Sequence, residues 1–347
     1  MGSPRKPLAA TPVAFVQAVI AAYARYGADP ADALRQARIA PRLLGQPRAR
    51  ITAAQFEALS AHAMQELDDE ALGWFGRRLP WGSYGMLCRA SVTAPSLGIA
   101  LRRWVRHHRL LTDDVLLHLD VAGDAATLWI EERRPPADAV RELCLVTLLR
   151  YAHGFASWAI DSRIALHESR FAYPAPPHAA VYPLMFPAPV SFDATATGMR
   201  FDARYLALPL VRDEAAMRQM LQRALPLTVR PYRRDRLLVD RVRELLRTEV
   251  AATAETLSMQ LAMSVRTLHR QLHDEGAGLQ ALKDDARQAR AMTLLSTTQR
   301  PLKQIALAAG FRNEKSFARA FRAWTGEAPG AWRRRPGPAP PAPRAAA

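Results

Sequence analysis

Cysteine is scarce: the 347-residue chain holds two, Cys88 and Cys144. So few thiols exclude a disulfide framework and a cysteine-based zinc site, and they fit a reducing cytosol. No charged, apolar, then small-residue leader opens the sequence. No uninterrupted apolar run approaches the length of a membrane span, so a soluble cytoplasmic protein is expected. The G-x-S-x-G, P-loop and dinucleotide-binding fingerprints are also missing; nothing local announces catalysis, and no cofactor is expected. The adjacent pair His107–His108 makes a poor metal site, because neighbours on a helix point about 100° apart. Acidic residues are few beside basic ones, with 32 Asp and Glu against 48 Lys and Arg and a net charge of +16.

What is present is enough apolar material, 49% of residues, for a proper core, and enough length for two domains. The basic surplus favours an anionic partner and is uneven. From Arg230 onward there are two basic residues for every acidic one, so most of the surplus sits in the last third.

Along the chain, residues 1–10 read as a loose tail. Thr11-Pro12 then offers an N-cap and N1 proline for a helix carrying Val13, Val16, Val19, Ile20 and Tyr23 and stopped by Gly27. Thr52 and Gln55 have capping-box spacing ahead of Phe56 and Leu59. A further helix is expected from Ser96 through Trp104 to Leu111. The period then becomes two: Val115–Val121 and "ATLWIEE" read as a hairpin. An apolar helix over Val140–Ile160, a strand in "RIALHES", an irregular stretch over 172–191 and short strands in "PVSFD" and "GMRFD" follow. The fold class is therefore α+β and helix-rich, with an all-α C-terminal part. Residues 225–235 read as a linker. The expected domains are 11–228 and 229–335, and a Pro/Ala tail occupies 336–347.

The last third says nearly the same thing twice. Leu257 and Leu261 lead to a break at Ala262-Met263, and Ser264 opens a second helix with Leu268 and Leu272 on its apolar side. Ile305 and Ala309 lead to Gly310-Phe311, and the next helix carries Phe317 and Phe321. Two short helices with small residues at a tight turn describe a helix-turn-helix. The copies are bridged by a helical segment from Leu279 to Leu295, about 25 Å long. Each second helix also carries a cationic stripe: Arg266, His269, Arg270 and His273 in the first, Arg312, Lys315, Arg319 and Arg322 in the second. For one helix alone, a solvated basic face explains the pattern. Two copies on one chain suit double-stranded DNA, where Arg forks onto guanine and Lys, Ser and helix-start amides hold phosphate.

These residues resemble the AraC/XylS family of bacterial transcription regulators. The match runs from about Thr253 to Arg333, with Ile305-Ala306, Gly310-Phe311, Phe317, Arg319, Phe321, Gly326 and Pro329 at the family's spacing. Ala262 stands where Gly is common, a change that alanine tolerates if φ stays negative. The resemblance implies recognition helices at Ser264–Leu272 and Asn313–Trp324. Its implied DNA contacts are Ser264, Arg266, His269, Arg270, Asn313, Lys315, Ser316, Arg319 and Arg322. Upstream, "SVTAPSLGIALRRWVRHHRLL" and "SFDATATGMRFDARYLALPL" are similar to the long effector-binding domain of one branch, with Thr197 where that branch often has Asn. That implies a ligand-responsive regulator or activator with an unidentified small-molecule effector, RNA polymerase as a partner and possible homodimers.

For the effector, "RRLPWGSYGMLCRA" offers Trp81, Tyr84 and Arg89, and Trp104 lies downstream. Aromatic walls with one guanidinium would suit an anionic ligand, while a buried turn with structural aromatics explains the stretch equally well. Two other readings remain at this level. One is an effector-independent DNA-binding protein whose front domain only dimerises. The other is a DNA-repair alkyltransferase, although "MLCRA" and "ELCLV" lack the basic and histidine partners of an activated cysteine.

Overall fold

The alternation at Val115–Val121 becomes a hairpin, β3 (Val115–Ala122) and β4 (Ala125–Glu132), in unbroken antiparallel register from Val115 opposite Glu132 to Ala122 opposite Ala125. In the computed structural model, which describes residues 9–222 and 235–334, this hairpin starts a five-stranded sheet of order β3-β4-β7-β5-β6. The other strands are β5 (Leu166–Arg170), β6 (Val190–Ser191) and β7 (Thr197–Asp202). Gly198 lets β7 reach β4: a Cβ there would stand 2.9 Å from both the Leu128 carbonyl oxygen and the Trp129 Cβ. The apolar helix α6 (Asp138–Ala159) packs on this sheet and against α1 (Val13–Arg25) and α5 (Leu97–Leu111). Leu143, Cys144, Leu149 and Phe155 of α6 are buried in the core they share.

Two expectations at the N-terminus are corrected. Strand β1 (Ala9–Pro12) begins inside the stretch read as a tail, pairing with β2 (Arg50–Thr52). Thr11 therefore lies in a strand, and α1 starts at Val13 with Pro12 in the cap position and no side-chain cap. Pairing holds Thr11-Pro12 extended, and the Val13 amide is bonded to the Ala49 carbonyl at 3.0 Å, so no threonine cap is needed. The capping box is as read. In α3 (Ala53–Glu66) the Gln55 amide donates to Thr52 Oγ1 at 3.2 Å, and the Thr52 amide donates to Gln55 Oε1 at 3.0 Å. Helix α2 (Ala31–Gln36) lies between them, and α4 (Ser83–Val92) precedes α5. The aromatic-rich stretch 172–191 is mostly irregular, with a 3-10 turn (Ala179–Val181) leading into a short helix, α7 (Tyr182–Met185), pinned where the Tyr182 hydroxyl donates to Glu142 at 2.6 Å. Helix α8 (Glu214–Leu221), capped by Asp213, is the last described helix of this first unit, Met1–Asp235. The tail up to residue 8, the linker up to residue 234 and the tail from 336 lie outside the described residues.

The second unit, Arg236–Ala347, is all-α over its described residues. It comprises α9 (Leu238–Thr248), α10 (Ala254–Gln260), α11 (Val265–Asp274), α12 (Leu279–Thr297), α13 (Leu302–Ala308), α14 (Glu314–Thr325) and α15 (Pro329–Arg333). Its interior is two cores. Val242, Leu246, Leu257, Leu268 and Leu272 gather with Leu279 and Leu282 at one end of α12. Ile305, Ala309, Phe317 and Phe321 gather with Ala291, Leu294 and Leu295 at the other. One continuous helix thus belongs to both.

Candidate nucleic-acid interface and ligand cavity

The two turns of the repeat close with the same bonds. After α10, the Met263 amide donates to the Ser258 carbonyl at 2.9 Å and the Ala262 amide to Met259 at 3.0 Å. After α13, Phe311 donates to Ala306 at 2.9 Å and Gly310 to Leu307 at 3.0 Å. This double closure needs a left-handed residue at the second position of each turn. Gly310 supplies it at φ +80°, and Ala262 is forced to φ +49°. The condition under which alanine is harmless there, a negative φ, is therefore not met, because the turn's hydrogen bonds outweigh the roughly 1–2 kcal/mol that Cβ costs there. Ala262→Gly is expected to raise the stability of the first helix-turn-helix by about 1 kcal/mol. Chemical denaturation followed by far-UV dichroism checks this, and a loss of stability would contradict it.

Both second helices are capped by side chains at their starts. Ser264 Oγ accepts from the Thr267 amide at 3.1 Å, and Asn313 Oδ1 accepts from the Ser316 amide at 2.8 Å. Ser264 and Asn313 are thus occupied in holding α11 and α14. Leu268, Leu272, Phe317 and Phe321 point inward and are fully buried. Arg266, His269, Arg270, Lys315, Arg319 and Arg322 are exposed, and Ser316 is half-buried. Among the described residues, no hydrogen bond or salt bridge engages the side chains of Arg266, Arg270, Lys315, Arg319 or Arg322. The second turn also touches the segment after α9 and the middle of α12. A Cβ on Gly310 would meet Val250 at 3.4 Å, and the Arg287 guanidinium of α12 lies 5.4 Å from the centre of the Phe311 ring. These contacts fix how the two helix-turn-helix motifs face one another.

The first unit contains a cavity of about 220 Å³ whose wall includes Trp81, Tyr84 and Trp104, three of the four residues singled out for an effector. Arg89 is not among them: it is exposed, with Nε 3.9 Å from Glu214. Five residues along α4 from Tyr84 turn the helix by about 140°, which carries Arg89 away from the cavity. In place of a guanidinium the wall holds two carboxylates, Glu57 and Glu70, with Tyr151, Met220 and Leu221. Glu70 is buried; Oε1 accepts from the Gly82 amide at 2.8 Å and Oε2 from the Tyr84 amide at 2.7 Å. Burial raises its carboxyl above the ordinary range, and those backbone bonds oppose the rise. No local pattern marked Glu57 or Glu70, since each reaches the cavity from a different segment.

A ligand-type α+β front unit followed by paired helix-turn-helix motifs with free cationic faces defines a DNA-binding transcription regulator. Residues 27–210 match the family model described as the arabinose-binding domain of AraC transcription regulators, and residues 257–335 match a helix-turn-helix domain model. The chain belongs to the AraC family of transcription regulators. It is 30% identical over 328 residues to the ornithine utilization regulator of Pseudomonas aeruginosa, covering 94% of this chain and 96% of that protein. It is 39% identical over 72 residues to the HTH-type transcriptional regulator VqsM of the same organism, 21% of this chain and 22% of that one. Among solved structures, the transcriptional regulator CdpR from Pseudomonas aeruginosa is 21% identical, covering 88% of this chain and 96% of its own, with a TM-score of 0.33. No helix among the described residues is long and apolar enough to cross a membrane.

Proposed function

We propose that one chain reads a bipartite operator by placing α11 and α14 in successive major grooves. The observation that carries this is the duplicated turn, each copy presenting unpaired cations, at the two ends of a helix of 19 residues. Such a helix spans about 28 Å, comparable with the roughly 34 Å between major grooves on one face of a duplex. Arg266, His269 and Arg270 act in one half-site, and Lys315, Ser316 and Arg319 in the other, with Arg322 at the periphery. Ser264 and Asn313 serve by holding helix starts whose amides face phosphate.

In this reading residues 11–228 form the sensor and dimerisation domain and 229–335 the DNA-binding domain. The protein acts in the cytoplasm with RNA polymerase as its partner. The cavity is the effector site: its wall includes Met220 and Leu221 of α8, the last described helix before the segment leading to the second unit. The relative's name makes ornithine the first compound to try. Catalysis has no part in it. Burial pushes the Cys88 thiol up to about 12 and that of Cys144 well above its usual value, so neither is the activated thiolate an alkyltransferase needs.

Protection mapping upstream of the chain's own and neighbouring genes defines the operator. On that operator, Arg270→Ala or Arg319→Ala is expected to weaken specific binding by about 1–3 kcal/mol. Equal loss on random duplex would instead assign the residue to phosphate. Binding that ignores salt concentration would contradict the electrostatic footing of the proposal.

A further inference from the structure

We infer that the cavity takes an organic cation, a primary amine such as a diamine or a basic amino acid, with Glu70 as its anionic partner. The inference rests on the reading of this cavity as the effector site and adds the charge of the ligand. Glu70 is only 8% exposed, and it accepts hydrogen bonds from the backbone amides of Gly82 and Tyr84. No Lys, Arg or His among the described residues lines the cavity beside it. Those amides open α4 and offset part of the charge through the helix dipole, roughly half a unit. Each carboxylate oxygen retains acceptor capacity for a donor arriving from the cavity.

The walls point the same way. Tyr84 and Tyr151 stack with centroids 5.2 Å apart, and Trp104 stacks on Phe155 at 4.8 Å. Rings of this kind attract a cation through their negative faces. The Tyr84 hydroxyl, on this wall, is buried without a hydrogen-bond partner and can accept from an ammonium. A carboxylate-bearing ligand without an amine would meet like charge. A neutral sugar would leave the buried charge of Glu70 without a counter-ion.

Trp81 and Trp104 both line the cavity, so ligand entry is read by tryptophan fluorescence on the full chain. L-ornithine and 1,4-diaminobutane are the amine probes; glutarate and L-arabinose are the anionic and neutral ones. A saturable change with at least one amine and none with glutarate or arabinose is expected. Glu70→Gln should weaken amine binding about tenfold or more. Because Glu70 also caps α4, Trp81→Leu at a half-exposed wall position is the second variant, and it should weaken binding several-fold with the fold intact. Response to glutarate or arabinose alone, or to none of the four, overturns the inference. Amine binding undiminished in both variants places the ligand elsewhere and overturns the effector-site reading with it. Competition settles the difference: glutarate or arabinose binding that Trp81→Leu weakens leaves the cavity as the effector site and rejects only the amine. Operator protection in the same samples reports the DNA-binding reading independently.

Discussion

Lowering the pH from 7 to 5 is expected to destabilise the first unit, with two buried histidines together contributing about 4 kcal/mol of loss. His108 is wholly buried beside Phe75 and Tyr84, with neither ring nitrogen hydrogen-bonded, and burial lowers its pKa to about 4. His153 is lowered to about 4 by burial first and by the neighbouring Arg150 second, against a hydrogen bond to the Ile164 carbonyl at 2.9 Å. Both values lie below that of an unfolded histidine, near 6.5. Above that pH neither state binds the protons and the histidines are silent. As the pH falls from 6.5 towards 4 the unfolded chain binds protons that the folded one refuses, so stability declines. Each histidine contributes about 2 kcal/mol of loss by pH 5. Glu70, raised by burial, acts in the opposite sense and offsets part of it. Urea midpoints read by tryptophan fluorescence check the slope. His108→Phe, which deletes no hydrogen bond, should flatten it; a midpoint unchanged between pH 7 and 5 would contradict the assignment.

Phe321→Ala should cost about 3–5 kcal/mol, and the cost should be confined to one half of the DNA-binding unit. Phe321 is fully buried between Phe317, 5.7 Å away, and Trp332, 5.9 Å away. Its core also holds Leu294, Leu295, Ile305 and Phe317, with Phe311, Trp324 and Trp332 packed against it, and truncation removes a ring that these side chains enclose. The other core shares no residue with it. Amide exchange should therefore accelerate across α13, α14 and α15 while α10 and α11 keep their protection. Operator protection should shrink to a single half-site. Uniform loosening of both halves would show that the two cores fold as one.

The parts of the fold read correctly from sequence are those decided locally. Thr52 and Gln55 are three residues apart, and the Val115–Glu132 hairpin needs only its own alternation. Each helix-turn-helix draws most of its core from a single stretch, so leucine and phenylalanine spacing revealed it. The failures have other causes. Glu57, Glu70, Tyr84, Tyr151 and Leu221 meet only after five segments of the first unit pack together, which no window of sequence contains. Arg89 was assigned by adjacency in sequence, although helical phase turns it outward. Ala262 looked harmless because alanine rarely adopts positive φ. Only the matching bonds at Gly310 reveal what that turn demands. The strand at Ala9 depends on a partner some forty residues away.

The helix common to both cores carries a consequence for binding kinetics. In the proposed bipartite reading, once α11 has engaged its half-site, α14 is held by a rigid covalent spacer within reach of the next groove. Its effective concentration there is on the order of millimolar, however dilute the protein. Each half can then be a weak and fast-dissociating binder while the whole is retained, and release requires both to let go together. Shifting one half-site by half a turn of DNA would move it to the opposite face of the duplex, where the spacer cannot deliver α14. The chain would then hold that operator only as firmly as one half alone.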